Sequence, residues 1–219
     1  MNQNDIKRLN ELGVATVYEA SGREGLVDIP LIQLIPYSRV AGPARTALCG
    51  QDDNLMVHAV IEHIQPGEVL VLSMPDPAPV ALIGELLATQ AKVRGAAGIL
   101  VDASVRDVDE LIKLGLPIWA RFIRVRGATK TKIGEINTSV TVGGTEIAPG
   151  DIVVMDVDGG VCVKRERVEE VLKASEERLV REDILRKKLL AGQISYDLHG
   201  LRDYMEKAGR VMRPTRKGK

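Results

Sequence analysis

The chain has 219 residues, of which 45% are hydrophobic and 27% are charged, and this balance is typical of one folded domain, or at most two small ones, with a buried core. The 30 Lys and Arg residues offset the 30 Asp and Glu residues, which argues against nucleic-acid binding, because that function needs a basic excess to displace counterions. Aromatic residues make up only 3%, which disfavours binding of single strands by base stacking.

The two cysteines and the apolar stretches indicate the compartment. Cys49 and Cys162 are too few for a disulfide framework or a cysteine zinc site, so we expect both to be small core residues. Residues 1–10 are polar and lack the apolar region of a secretory signal. The longest uncharged apolar stretch, residues 77–84, is far shorter than the ~18 residues of a membrane span. We therefore expect a cytoplasmic protein without a membrane partner.

The first third of the chain predicts a helix followed by short strands. Residues 5–21 have a helical apolar pattern that is interrupted at Gly13. Apolar runs bounded by turn residues then predict strands, and a further short helix precedes Pro66. The predicted strands span residues 31–35, 39–42 and 44–49, and the short helix spans residues 55–63.

The centre of the chain predicts an α/β arrangement. Residues 84–94 read as a helix, and residues 97–101 form the fully apolar run of a buried strand. We expect Asp102 to end that strand, and Arg106 and Asp107 to open a helix that stops at Gly115. A strand over residues 118–120 follows, so helices and strands alternate.

The last third predicts hairpins and then a long helix. Glycine-containing turn pairs separate short β-branched runs over residues 138–163, a pattern typical of successive hairpins. Residues 165–191 are charge-rich with a helical apolar pattern, which predicts a helix about 40 Å long at ~1.5 Å per residue. We expect such a helix to reach beyond its own subunit. Residues 210–219 are basic and predict a solvated tail.

One cluster of residues could carry chemistry. Asp102, Arg106 and Asp107 are expected at the carboxyl end of a strand, where open α/β sheets bind ligands. A hard divalent cation such as Mg²⁺ needs only one or two carboxylates. The free amides of Leu86 and Leu87, at the start of the preceding helix, could hold a substrate carboxylate. A helix-capping Asp beside a surface Arg, without function, is the alternative interpretation.

The motif around this cluster resembles that of a known family. Residues 84–107 read G-E-L-L-A-x6-G-x-x-G-x-L-V-D-x-x-x-R-D and are similar to the signature of the RraA-like family. That family includes the divalent-metal (class II) pyruvate aldolases that act on 4-hydroxy-4-methyl-2-oxoglutarate and 4-carboxy-4-hydroxy-2-oxoadipate. Residues 15–20, 53–58 and 149–159 also match. The resemblance implies an α/β fold, a layered β/β/α sandwich of the swivelling-domain type with a long C-terminal helix, over residues 1–192, and a tail over residues 193–219.

The resemblance also implies roles for residues of the central motif. Asp107 matches the single direct ligand of a divalent metal, Mg²⁺ or Mn²⁺. Arg106 matches the arginine that faces the substrate's keto oxygen and stabilises an enolate. Gly84, with the amides of Leu86 and Leu87, would bind the pyruvyl carboxylate.

Three further carboxylates complete the implied catalytic set. Glu85 matches a position that contacts metal-bound water, and Glu19 corresponds to another carboxylate of the family. Glu182, on the long helix, matches one that a neighbouring subunit donates. These groups would assist or relay the transfer of the proton that is taken from the substrate's C4 hydroxyl.

The resemblance therefore implies a carbon–carbon lyase that releases pyruvate from a 4-hydroxy-2-oxo acid and decarboxylates oxaloacetate as a side activity. The small 2-oxo acid would be bound by a homotrimer or homohexamer. Two alternatives remain. Some family members resemble regulators that inhibit a ribonuclease through protein contact. A related lyase for another 2-oxo diacid is also possible, with Arg121, Arg124 and Arg126 as carboxylate partners or as ordinary surface residues.

Overall fold

The structure, a computed structural model, describes residues 2–208. The predicted solvated tail at residues 210–219 lies outside the described residues. The chain divides into two compact units, Met1–Glu176 and Glu177–Lys219. Among the described helices, none combines the length and the apolar content that crossing a bilayer would require.

The first unit contains all the strands of the described chain and most of its helices. Its strands are β1 (Ile32–Gln33), β2 (Val40–Leu48), β3 (Val69–Ser73), β4 (Ala81–Ile83), β5 (Gly98–Val105), β6 (Ile118–Ile123), β7 (Glu135–Ile136), β8 (Val140–Val142), β9 (Thr145–Ile147), β10 (Ile152–Asp156) and β11 (Gly159–Val163). Its helices are α1 (Gln3–Leu12), α2 (Val14–Ala20), α3 (Leu55–Ile61), α4 (Glu85–Val93), α5 (Val108–Leu114) and the first part of α6 (Val168–Leu190). The second unit contains the rest of α6, then α7 (Ser195–Leu198) and α8 (Leu201–Lys207).

A mixed sheet organises the first unit, in the order β1-β6-β5-β3-β2-β10-β11. Strands β2, β3, β5 and β6 run parallel, and β10 joins β2 in the antiparallel direction. Strand β4 pairs with the end of β5, and β8 and β9 form a separate hairpin. Since parallel strands need crossover helices, α3, α4 and α5 follow β2, β4 and β5.

Layers of apolar side chains hold this unit together. Alternate residues of β5 point to opposite faces of the sheet, so Val101 packs under α3, α4 and α5 whereas Leu100 packs toward β10 with Trp119. A third cluster, which contains Leu9 and Val171, joins α1, α2 and the start of α6 to β10 and β11. The predicted layered α/β fold with a long C-terminal helix is confirmed.

Most predicted elements form, but the strand near Pro43 differs from its prediction. The break at Gly13 is confirmed, because α1 ends at Leu12 and α2 begins at Val14. A single strand, β2, replaces the two strands predicted on either side of Pro43. Ala44 donates its N–H to Asp151 on the β10 side, so the nitrogen of Pro43 faces the other side, where pairing with β3 begins only at Ala44. The proline therefore removes no hydrogen bond from the sheet.

The prediction for Asp102 was wrong. Strand β5 continues to Val105, and Asp102 lies inside it on the face opposite α3–α5, fully buried. An ion pair with Arg121, 3.0 Å between Nη1 and Oδ1, compensates the carboxylate. Burial raises the pKa of Asp102, and Arg121 only partly offsets this rise. An apolar run that contains a paired acid can thus remain a strand.

The hairpin prediction for residues 138–163 is partly correct. The turns at Gly143 and Gly159 connect the antiparallel pairs β8–β9 and β10–β11. The turn at Gly150 does not form a hairpin, because β10 pairs with β2 and β11 instead of β9. The long helix forms as α6, preceded by a 3-10 turn at Arg165–Arg167.

Candidate active site

Two parallel strands end together and create the candidate site. Ile83, the last residue of β4, pairs with Val105, the last residue of β5. Helices α4 and α5 start just beyond these ends, and a cavity of about 350 Å³ lies there. The volume is at the lower end of the ~300–1,000 Å³ typical of ligand pockets, so the cavity suits a small molecule. The residues that line it include Gly84, Leu86, Leu87, Arg106, Asp107 and Lys130.

Asp107 has an unusual backbone conformation at the mouth of this cavity. Its φ of 60° and ψ of 43° are left-handed, a region that Asp tolerates better than most residues do. Its side chain does not cap α5; instead its Oδ2 accepts the backbone N–H of Glu85 at 3.2 Å. The carboxylate is thereby directed toward the start of α4, where the helix dipole favours a negative charge.

Arg106 lies beside this carboxylate. Its backbone N–H donates to Ile83 O at 3.2 Å, which fixes the residue at the edge of β4. Its Nε is 3.7 Å from Asp107 Oδ2, and about half of each side chain is exposed. The arginine therefore presents a cation to the cavity next to an accessible anion.

Gly84 leaves the space that the Asp107 carboxylate occupies. A Cβ at this position would lie 2.4 Å from Asp107 Oδ2 and 3.1 Å from Arg106 Cγ. The φ of Gly84 is −137°, which any residue can adopt. The requirement for glycine here is therefore one of space rather than of backbone freedom.

The first turn of α4 supplies hydrogen-bond donors. The backbone N–H of Ala88 donates to Gly84 O at 3.1 Å, the first bond of the helix. The amides of Leu86 and Leu87 precede it and have no acceptor within the helix. Both residues line the cavity, so these amides can bind an anionic group of a ligand.

The three predicted glutamates lie in different places. Glu85 is the first residue of α4, and its Oε1 accepts the Thr89 hydroxyl at 2.9 Å. Glu19, on α2, forms an ion pair with Arg23 and is not among the residues that line the cavity. Glu182 lies in the second unit, paired with Arg178 at 2.8 Å. The structure thus brings Arg106, Asp107 and the α4 turn together, but not Glu19.

The donor set fits a divalent cation that is held mainly by water and substrate. Within residues 2–208, no group of three His, Cys, Asp or Glu side chains has the arrangement of a metal cage. Asp107 offers one half-exposed carboxylate beside the free amides of α4. Mg²⁺ keeps several waters and needs only one or two carboxylates, so these residues suit Mg²⁺ or Mn²⁺ better than they suit zinc.

The sequence-based predictions assigned no role to one wall of the cavity, which contains His58, Gln90 and Lys130. No spacing rule connects these residues to the central motif, because they come from α3, α4 and the segment after β6. The three arginines that we considered as partners for a substrate carboxylate do not line this cavity. Arg121 is paired with Asp102, and Arg124 and Arg126 are exposed and do not line the cavity.

Comparisons with known proteins agree on one family. The family model described as RraA-like, Aldolase/RraA, matches residues 14–163. A protein of Halalkalibacterium halodurans, provisionally named a 4-hydroxy-4-methyl-2-oxoglutarate aldolase, is 33% identical over 169 residues, which cover 77% of this chain and 78% of the relative.

Solved structures give the same result. Streptomyces coelicolor RraAS2, described as an unusual member of the RNase ES inhibitor RraA protein family, has a TM-score of 0.73 and 29% identity, covering 85% of this chain and 97% of its own. The RNA-processing inhibitor RraA from Thermus thermophilis has a TM-score of 0.57 and 29% identity, covering 64% and 82%. The family model spans both strands that end at the cavity, with Gly84, Arg106 and Asp107, and this chain therefore belongs to the RraA-like family.

Proposed function

We propose that this protein is a divalent-metal-dependent lyase that cleaves a 4-hydroxy-2-oxo acid, such as 4-hydroxy-4-methyl-2-oxoglutarate, and releases pyruvate. The observation that carries the proposal is the meeting of Arg106, Asp107 and the free amides of α4 in one small cavity. This arrangement offers separate groups for the carboxylate, the keto oxygen and a cation. The provisional aldolase name of the Halalkalibacterium halodurans relative supports it.

The residues of the cavity would bind the pyruvyl part of the substrate. The amides of Leu86 and Leu87 would donate to the C1 carboxylate. The guanidinium of Arg106 would face the C2 keto oxygen, where negative charge develops during the reaction. Asp107 would hold Mg²⁺ or Mn²⁺, which when bound supplies Lewis-acid polarisation of the keto group.

The bond cleavage then follows from proton and electron balance. A general base takes the proton of the C4 hydroxyl, the C3–C4 bond breaks, and its electron pair moves into the C2–C3 bond as the keto oxygen becomes negative. The product that contains C4 leaves as a carbonyl compound. The enolate, stabilised by Arg106, accepts a proton at C3 and becomes pyruvate. Oxaloacetate would lose CO₂ through the same enolate.

The general base is a carboxylate in this proposal. Glu85 lies beside Asp107 at the start of α4, and its backbone N–H already contacts that residue. Glu19 and Glu182 would contribute only if neighbouring copies of the chain presented them to the cavity. The proposal therefore includes assembly as a homotrimer or homohexamer.

The direct test is pyruvate release from 4-hydroxy-4-methyl-2-oxoglutarate and from oxaloacetate, assayed with Mg²⁺ or Mn²⁺. Turnover of the hydroxy acid would establish the lyase. Decarboxylation alone would support the enolate site and point to a different aldol substrate. Absence of turnover on both compounds would contradict the proposed lyase.

A second candidate function is regulation of a ribonuclease by protein contact. The names of two RraA structures favour it, because the one from Thermus thermophilis is described as an RNA-processing inhibitor and the one from Streptomyces coelicolor as an unusual member of the RNase ES inhibitor RraA family. Such a regulator has no need of a cavity that joins Arg106 to Asp107. Recovery of a nuclease or RNA helicase with the tagged protein from cell extract, together with absence of lyase activity, would favour the regulator.

A further inference from the structure

The cavity extends beyond Arg106 and Asp107 to a wall outside the central motif. His58, exposed on α3, and Lys130, exposed in the segment after β6, line this wall together with Gln90. The wall presents an ammonium group, an imidazole and a side-chain amide to the cavity. It therefore has the chemistry to bind a second anionic group of a ligand.

The ammonium group of Lys130 lacks a counter-ion in the part of the chain that the structure describes. Within residues 2–208, no carboxylate forms an ion pair or hydrogen bond with its ammonium group. The neighbouring lysine differs in this respect, because Lys132 Nζ donates to Gln51 O at 2.7 Å. An unpaired ammonium on a cavity wall raises the local concentration of anions.

The backbone that bears Lys130 is held in place. The fully buried carboxylate of Asp53 accepts, through Oδ2, the hydroxyl of Thr129 at 2.6 Å, the N–H of Thr131 at 2.6 Å and the N–H of Lys132 at 3.0 Å. Its Oδ1 accepts the first N–H of α3 at 2.8 Å. These bonds lie on both sides of Lys130, so its Cα is fixed to α3 although its side chain is exposed.

We propose that Lys130, assisted by His58, binds the second carboxylate of the substrate and so makes the site selective for 2-oxo diacids over 2-oxo monoacids. This inference rests on the proposed function for the orientation of the substrate. With the C1 carboxylate on the α4 amides and the keto oxygen at Arg106, the C5 carboxylate would contact other residues of the lining, and Lys130 and His58 are the basic side chains among them. A fixed ammonium there provides a charge-assisted contact that a monoacid cannot use.

The test measures binding, so that it does not depend on turnover. The probes are 2-oxoglutarate, which has the C5 carboxylate, and 2-oxobutanoate, which lacks it, each titrated by calorimetry with Mg²⁺ present. The proteins are the wild type, Lys130→Met, and a control, Lys113→Met, which removes an exposed lysine of α5 whose side chain is 77% exposed.

We expect the wild type and Lys113→Met to bind 2-oxoglutarate at least 10-fold more tightly than 2-oxobutanoate, and Lys130→Met to lose most of this preference. Persistence of the preference in Lys130→Met would overturn the proposal, as would a wild type that binds the two acids equally or binds neither. A wild type that shows the preference but never releases pyruvate from a hydroxy acid would contradict the lyase and leave the diacid site supported.

Discussion

At the residue scale, the proposed site depends most on Asp107. Its left-handed backbone directs the carboxylate away from its own helix and toward Glu85 N, 3.2 Å away. A non-glycine residue in this conformation is uncommon and is often found where function requires it. The same geometry leaves the carboxylate half-exposed next to Arg106.

The first prediction follows from that geometry. Asp107→Ala removes the carboxylate beside Arg106, so metal-stimulated pyruvate release should fall about 100- to 1,000-fold, the range seen when a key electrostatic group is removed. The matched control is Asp109→Ala, an exposed acid of the same helix, which should retain activity within about twofold. Metal-stimulated turnover in Asp107→Ala would exclude this carboxylate as the metal ligand.

Gly84 gives a second prediction, which is steric. In Gly84→Ala the new Cβ would lie 2.4 Å from Asp107 Oδ2, so the carboxylate must move, whereas the backbone φ of −137° stays permitted. We expect at least a ~10-fold loss of kcat/KM, since small displacements of a catalytic group are costly. The thermal midpoint should change little. Equal activity of the variant would show that the carboxylate position is not critical.

At the element scale, the buried carboxylate of Asp53 joins the segment after β6 to α3. Burial would raise its pKa, but hydrogen bonds from Thr129, Thr131, Leu55 and Lys132 outweigh burial and hold the pKa below its ordinary value. The pKa of this carboxyl is lower in the folded state than in the unfolded chain. The ionised carboxylate therefore stabilises the fold fully above ~3.9, the pKa of an unfolded Asp, and this stabilisation is lost as pH falls further.

Asp53→Asn should therefore destabilise the fold in a pH-dependent way. At pH 7 we expect a loss of about 1–3 kcal/mol in the free energy of unfolding, the range for hydrogen bonds to a charged group. The difference from wild type should shrink between pH 4 and pH 3. Urea unfolding at several pH values measures it, with Asp76→Asn, at an exposed position, as the control. A difference that stays constant with pH would contradict this account.

The elements also show what the sequence could predict. The helix at residues 84–94 was correct, and the strands of the centre form at the predicted places but extend further, to Val105 and Ile123. Their apolar periods and glycine stops are local signals. Asp102 was misread, because its partner Arg121 lies 19 residues away on β6. Lys130 was missed for the same reason, since hydrogen bonds to residues more than 70 positions earlier, among them those to Asp53, hold its segment beside α3.

At the scale of the whole molecule, the second part of α6 carries exposed apolar residues. Val180 and Ile184 are one helical turn apart and are 60% and 52% exposed, and Leu190 is 83% exposed. Val180 and Ile184 share one exposed face of the helix, and adjacent exposed apolar side chains are a feature of interaction surfaces. This observation supports the proposed self-association.

We predict that the protein sediments as a trimer or hexamer, and that Ile184→Glu shifts it toward smaller species, because a charge on an apolar contact must be desolvated. Sedimentation velocity over a range of protein concentrations measures both. A wild type that stays monomeric throughout would rule out the assembly and any contribution of Glu182 from a neighbouring subunit.

The central claim is that the cavity at Arg106 and Asp107 forms the enolate of pyruvate with a divalent cation. The most direct measurement is exchange of the methyl protons of pyruvate with solvent deuterium, followed by NMR, because it requires no knowledge of the aldol substrate. We predict that the wild type exchanges these protons far faster than Mg²⁺ alone does, that chelator abolishes the exchange, and that Asp107→Ala shows none. Exchange at the protein-free rate, or exchange that persists with chelator present, would contradict this claim.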